Sequence, residues 1–171
     1  TGSNHTAMGH NALGANTTAS NNTAIGYETL ASNTTGYENV AVGALALDAN
    51  TTGFVNTAIG TGALGSNTTA GRNTAIGKEA LRDNTTGERN TAVGHDALLS
   101  NTTASNNTAI GQSSLLANTT GSENVAIGAF ALDANTTTND CVAIGYNALT
   151  SANGADRSVA VGKAALALTS T

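Results

Sequence analysis

A glycine returns every 17 residues without a slip: Gly9, Gly26, Gly43, Gly60, Gly77, Gly94, Gly111, Gly128, Gly145 and Gly162. A fixed period of this length means that each unit is one supersecondary element. Such a unit cannot bury an apolar face alone and must stack on its neighbours. The consensus around the glycine is N-T-A-I-G-x-x-A-L-x-x-N-T-T-G-x-x. The residue two before it is Ala in all ten units, and the residue four after it is Leu in all ten. The residue one before is Ile or Val, except for Met8, and the residue three before is Thr or Val. A longer period lies on top. Ala19–Thr23 recurs as Ala104–Thr108, and Glu38-Asn39-Val40 as Glu123-Asn124-Val125, 85 residues on. The array therefore divides into two five-unit blocks, 1–85 and 86–170, of a single repeat domain spanning 1–171.

Asn, Thr and Gly disfavour helix interiors. The T-A-I segment, bounded by turn-forming Asn and Gly, suits a short strand. The expected fold is all-β: a parallel β-solenoid of ten coils of 17 residues. At about 4.8 Å per coil the rod would be roughly 48 Å long. Side chains alternate along a strand, so Thr74 and Ile76 share one face and Ala75 and Gly77 the other. The Ile/Val and Leu columns are expected to form the core, with the Ala column pointing outward. A solvent-facing column would tolerate many residues. Uniform alanine then predicts a close neighbour, and Ala24, Ala41, Ala58, Ala75, Ala92, Ala109 and Ala126 are the expected self-association face. Magnitudes favour such packing. Burying one Ile and one Leu per coil contributes roughly 4–5 kcal/mol, against about 1 kcal/mol or more for each residue ordered.

Composition closes several alternatives. Charged residues are 10% of the chain, aromatics 3%, and the formal net charge is −5 with no basic patch, so nucleic acid is not an expected partner. A single cysteine, Cys141, excludes an intrachain disulfide framework and a Cys-rich zinc site. No run of apolar residues is long enough to span a membrane as a helix. Carboxylates fall in variable columns, such as Glu28, Glu79 and Asp96, or Asp48 and Asp133, and do not converge as a nucleophile, base and orienter. No catalytic residue, cofactor or metal site is expected, and the chain is read as not an enzyme. His10 and His95 lie five coils apart, too far to share a metal, and all three histidines are expected in solvent.

The Asn-Thr-Thr column is the most distinctive candidate site. Its asparagines are Asn16, Asn33, Asn50, Asn67, Asn84, Asn101, Asn118 and Asn135. The leading expectation is a turn whose stacked amides form a ladder. Each is also an N-x-[ST] glycosylation acceptor, as are Asn4, Asn21 and Asn106. A regular Thr file also suits an ice-binding or glycan-presenting rod, which is the alternative function. A second Asn column, Asn22, Asn39, Asn56, Asn73, Asn90, Asn107 and Asn124, precedes each strand, and Cys141 takes the same place as a small buried substitute. It is expected to form a strand-entry ladder. Leu99 with Leu116, the cluster Tyr37, Phe54 and Val55, and isolated Leu45 and Phe130 stand in columns expected to face solvent. They are read either as contacts to other chains or as packing on their own neighbours.

The repeated N-[TV]-A-[IV]-G, followed by a small residue and Leu, resembles the head repeats of YadA-type trimeric autotransporter adhesins and related phage and viral fibre repeats. The resemblance covers the whole chain, although the unit here is a few residues longer than the usual adhesin head unit. It implies a left-handed parallel β-roll, a homotrimer and a place on a cell or virion surface. The expected function is thus a structural or adhesive segment of an extracellular fibre. Its partners would be copies of itself, as a trimer or an end-to-end filament, and a host surface or glycans. The last units drift, with Ala152-Asn153-Gly154 and Thr169-Ser170-Thr171 in place of Asn-Thr-Thr, while Ala160-Val161-Gly162 and Leu166 keep the pattern. The chain is read as a piece of a longer solenoid, with its end coils paired to further coils.

Overall fold

The computed structural model describes residues 2–150 and 156–167, so Ala152-Asn153-Gly154 and Thr169-Ser170-Thr171 lie outside the described residues. The chain is an all-β solenoid. Ten strands of three residues each form one parallel sheet in sequence order: β1 Thr6–Met8, β2 Thr23–Ile25, β3 Val40–Val42, β4 Thr57–Ile59, β5 Thr74–Ile76, β6 Thr91–Val93, β7 Thr108–Ile110, β8 Val125–Ile127, β9 Val142–Ile144 and β10 Val159–Val161. Each residue pairs with its equivalent one unit on, as in Thr74↔Thr91, Ala75↔Ala92 and Ile76↔Val93. The 17-residue period is therefore one full turn.

Turn chemistry explains the invariant glycine. It ends each strand with φ between 125° and 140°, a region nearly closed to other residues. A Cβ on Gly94 would also lie 2.6 Å from the carbonyl carbon and oxygen of Gly111 in the next coil. Three tight turns follow. In the β5 coil they are closed by Ala80 N–H donating to Gly77 O (3.3 Å), Arg82 N–H to Glu79 O (3.2 Å) and Asn84 N–H to Leu81 O (3.2 Å). Glu79 (φ 57°) and Leu81 (φ 53°) hold the third places of the first two turns, where a type II turn needs positive φ. The invariant Leu is left-handed throughout, with φ of 50–54° from Leu13 to Leu166. That conformation costs roughly 1–2 kcal/mol per residue. It is offset by a hydrogen bond to the next coil, Leu81 N–H to Ala97 O (3.0 Å), and by complete burial of the side chain.

The core corrects one expectation. Ala24, Ala41, Ala58, Ala75, Ala92, Ala109 and Ala126 are all 0% exposed and point into their own coils. They pack with the Leu column and with a second alanine column, Ala46, Ala63, Ala80, Ala97, Ala131 and Ala148. The Ile/Val column is outside: Ile59, Ile76, Ile110, Ile127 and Ile144 are 37–39% exposed. The reason is width. The strand faces the invariant Leu across a narrow interior, which one large side chain and two methyl groups already fill. Alanine is thus fixed by packing within the coil, and those seven alanines are not a face between chains.

Ala92→Leu is expected to overpack the core and lower stability by about 1–3 kcal/mol or more. Ile110→Leu, on the outer face, is expected to change it by about 0.5 kcal/mol or less. Urea unfolding of the two variants checks this.

Candidate interaction surfaces

Two asparagine columns are buried in the coil interior. Asn33, Asn50, Asn67, Asn84, Asn101, Asn118 and Asn135 are all 0% exposed. From Asn50 on, each amide donates to the carbonyl oxygen of the one before it: Asn50 Nδ2 to Asn33 Oδ1 (2.9 Å), Asn67 to Asn50 (2.9 Å), Asn84 to Asn67 (3.1 Å), and so on to Asn135. The same Nδ2 also reaches the backbone carbonyl three residues on, as Asn67 does to Ala70 O (3.1 Å). The strand-entry column is buried as well. There, Oδ1 accepts the backbone N–H of the next equivalent residue, as in Asn90 N–H to Asn73 Oδ1 (2.9 Å). Its Nδ2 donates across the coil, as in Asn73 to Gly87 O (2.8 Å). Gly87 O also accepts from Asn84 Nδ2 at 3.0 Å, so both ladders meet on one carbonyl in each coil.

This geometry bears out the ladder expected of the Asn-Thr-Thr column and closes its glycosylation reading from Asn33 to Asn135. The Asn33-to-Asn135 amides have both hydrogen-bonding ends engaged inside the coil and present nothing to a glycosyl group. Asn16 is half-buried against His5, its Nδ2 lying 3.2 Å from Nε2. The exposed acceptors are Asn4, Asn21 and Asn106. The first Thr of each pair turns its hydroxyl to the next coil, as Thr51 Oγ1 does to Thr68 O (3.0 Å). The second Thr of every pair is in solvent, and Thr18, Thr35, Thr52, Thr69, Thr86, Thr103, Thr120 and Thr137 form one exposed file.

His5 has a role that sequence reasoning missed. It stands 17 residues before Asn22, in the strand-entry column. Its Nδ1 accepts Asn22 N–H at 3.3 Å and its Nε2 lies 2.9 Å from Ala19 O, so an imidazole serves as the amide does elsewhere. The period alone would have revealed this. Cys141 takes the same slot fully buried, with its N–H donating to Asn124 Oδ1 (3.0 Å). His10 and His95 are exposed.

The outer face of the sheet carries two parallel columns. One is Thr or Val and the other Ile or Val, with Met8 at its start, and neither contains a charged residue. The face is regular because each residue pairs in register with its equivalent in the next coil, as in Thr74↔Thr91 and Ile76↔Val93. Charges sit instead on the turns. Arg82 binds Asp83 through Nε (2.8 Å) and Glu79 through Nη1 (2.8 Å), and these carboxylates, Asp83 first, hold its pKa above the ordinary range. Burial pushes the carboxyls of Asp48 and Asp133 above their ordinary value, against hydrogen bonds from local backbone N–H groups. Asp133 Oδ1 is buried without a partner.

Of the unusual apolar side chains, the aromatic ones pack on their own neighbours, whereas Leu45 and Val55 are exposed. Tyr37 stacks on Phe54 with centroids 5.3 Å apart, and Arg72 lies 5.0 Å from the Phe54 centroid. A Cβ on Gly71 would meet the Phe54 ring at 2.9 Å, so that glycine makes room for it. Phe130 meets Tyr146 edge-on at 6.0 Å. Among the described residues no group of His, Cys, Asp and Glu is placed to hold a metal, and no helix is long and apolar enough to cross a membrane. No protein-family model, curated protein or solved structure matches the chain.

Asn67→Ala removes the ladder bonds to Asn50 and Asn84 and the bond to Ala70 O. It is expected to cost roughly 2–4 kcal/mol, since buried partners are left unsatisfied. Thr69→Ala, at the exposed end of the same turn, is expected to cost less than about 0.5 kcal/mol. Thermal unfolding of both variants is the check. A second expectation concerns pH. Because the folded Asp133 pKa is raised, the native state holds that proton more readily than the unfolded chain does. This aspartate therefore penalises stability above its folded pKa, and the penalty fades as pH falls towards 3.8. Asp133→Asn should raise Tm at pH 7, with the gain shrinking on acidification.

Proposed function

We propose that this chain is a structural segment of a surface fibre, built by side-by-side association of copies through the outer face of the sheet. One observation carries the reading: an uncharged face, of β-branched side chains apart from Met8, runs in register across all ten strands. Such a face is self-complementary, because equivalent side chains repeat at one spacing along its length. Its dimensions are about 48 Å by about 10 Å, so pairing would bury on the order of 1,000 Å² in total, near the lower bound for a specific interface. The resemblance to adhesin head and viral fibre repeats supports the same reading, with a homotrimer as its form and an extracellular surface as its place. The reading assigns the chain no reaction, and a host surface or glycan would be met at the turns rather than at the sheet.

Ice binding is a second reading. It is favoured by the exposed threonine file from Thr18 to Thr137. The other threonine of each pair is turned to a backbone carbonyl, so the edge offers one row of hydroxyls and not a two-dimensional array. Thermal hysteresis of the purified chain separates this reading from fibre assembly.

Sedimentation equilibrium tests the main proposal. The wild-type chain is expected to associate. The double variant Ile76→Lys with Ile110→Lys should weaken association at least roughly 100-fold, because facing like charges cost several kcal/mol. Its circular dichroism should be unchanged. A wild-type chain that stays monomeric at millimolar concentration, or a lysine variant that associates equally well, would overturn the proposal.

A further inference from the structure

The repeat is broken at one place on the turns after the glycine. In the β4 coil two positions that carry side chains in the coils on either side are both glycine, Gly62 and Gly65. The coil before has Leu45 and Asp48 there, and the coil after has Glu79 and Arg82. The missing side chains leave an open notch of about 430 Å³ lined by Leu45, Asp48, Ala49, Ser66 and Arg82, with the two glycines between. That volume lies within the range of small-molecule sites. The space at Gly62 is real: an added Cβ would meet only Glu79 Cγ, at 3.6 Å.

The chemistry of the walls is unequal. Leu45 and Ala49 make one side apolar. Arg82 is held by two carboxylates, with Nε and Nη2 on Asp83 and Nη1 on Glu79, so its charge is already paired. Among the described residues Asp48 has no ion pair, unlike Glu79, Asp83, Glu88 and Asp140, each of which lies within 4 Å of a cationic nitrogen. Glu28 is close enough to add to the negative potential at Asp48. The site thus presents an apolar wall beside a half-buried carboxylate that lacks a counter-charge.

We propose that this notch binds a small organic cation, a primary ammonium group on a short alkyl chain. The ammonium would sit on the Asp48 carboxylate, with the Ser66 hydroxyl beside it, and the alkyl chain would lie in the space above Gly62 against Leu45. The site is on the turns and does not depend on the outer sheet face, so it stands apart from the fibre reading.

The test is a titration of the ¹⁵N-labelled chain with pentylammonium chloride, against sodium chloride and 1-pentanol controls, read by amide chemical shifts. Saturable shifts are expected, confined to residues 45–49, 62–66 and Arg82. Pentanol is expected to bind at least roughly fivefold more weakly, the worth of one partly exposed ion pair. Asp48→Asn should reduce pentylammonium to the pentanol level. Gly62→Leu should abolish binding while the spectrum elsewhere is kept, because Leu45 and Phe130 already occupy the same column at φ 59°. Shifts that do not saturate, that appear equally at other carboxylates, or that survive Gly62→Leu would overturn the proposal.

Discussion

The fold depends on a side-chain amide being satisfied by its own copy in the next coil. An asparagine amide has donors and acceptors to place, and burying it without partners costs on the order of 1–3 kcal/mol. In this chain each Asn from Asn50 to Asn118 in the Asn-Thr-Thr turn both gives and receives a bond along the ladder, and the strand-entry Asn ties its coil to the next through a backbone N–H. The bonds exist only at a rise of one coil and in one register. A slip of one residue would leave every buried amide unmatched. The ladders therefore specify the 17-residue turn more sharply than the apolar core does.

That core is small because buried asparagine amides share the interior with it. Leu supplies the only large apolar side chain per coil, and alanine fills the rest. The remaining large aliphatic side chains are pushed outward by lack of room, which places Ile and Val on the outer face of the sheet. One constraint, interior width, thus accounts for both the uniform alanine and the Ile/Val column of the outer face on which the assembly proposal rests. The left-handed Leu belongs to the same logic: only a backbone with positive φ there turns its side chain into so narrow a coil while its N–H reaches the next one.

Much of this was legible in the sequence. The period fixed the coil, the composition excluded helix, and the Leu column was correctly placed inside. The strand alternation also read correctly, with Thr and Ile on one side and Ala on the other. Which side faced inward did not follow, because hydrophobicity ranks Ile above Ala while the deciding quantity was space. Invariance of Ala92 and its equivalents carried the right message, a tightly packed site, assigned to the wrong partner. For the turn asparagines the leading expectation, a ladder of stacked amides, holds; the glycosylation reading failed because an N-x-[ST] pattern says nothing about whether the amide is already bonded. The notch at Gly62 and Gly65 is visible in sequence only as two glycines one turn apart, and its depth comes from the neighbouring coils.

Hydrogen exchange of the asparagine side-chain amides tests the central claim most directly, in the unmodified chain. The ladder account predicts that the Nδ2 protons of Asn50, Asn67, Asn84, Asn101 and Asn118 are protected to nearly the same degree as the backbone N–H groups of β4 to β7, while those of Asn21 and Asn106 exchange freely. Free exchange of the ladder amides alongside a protected backbone would contradict it. The coils would then be held by backbone pairing alone.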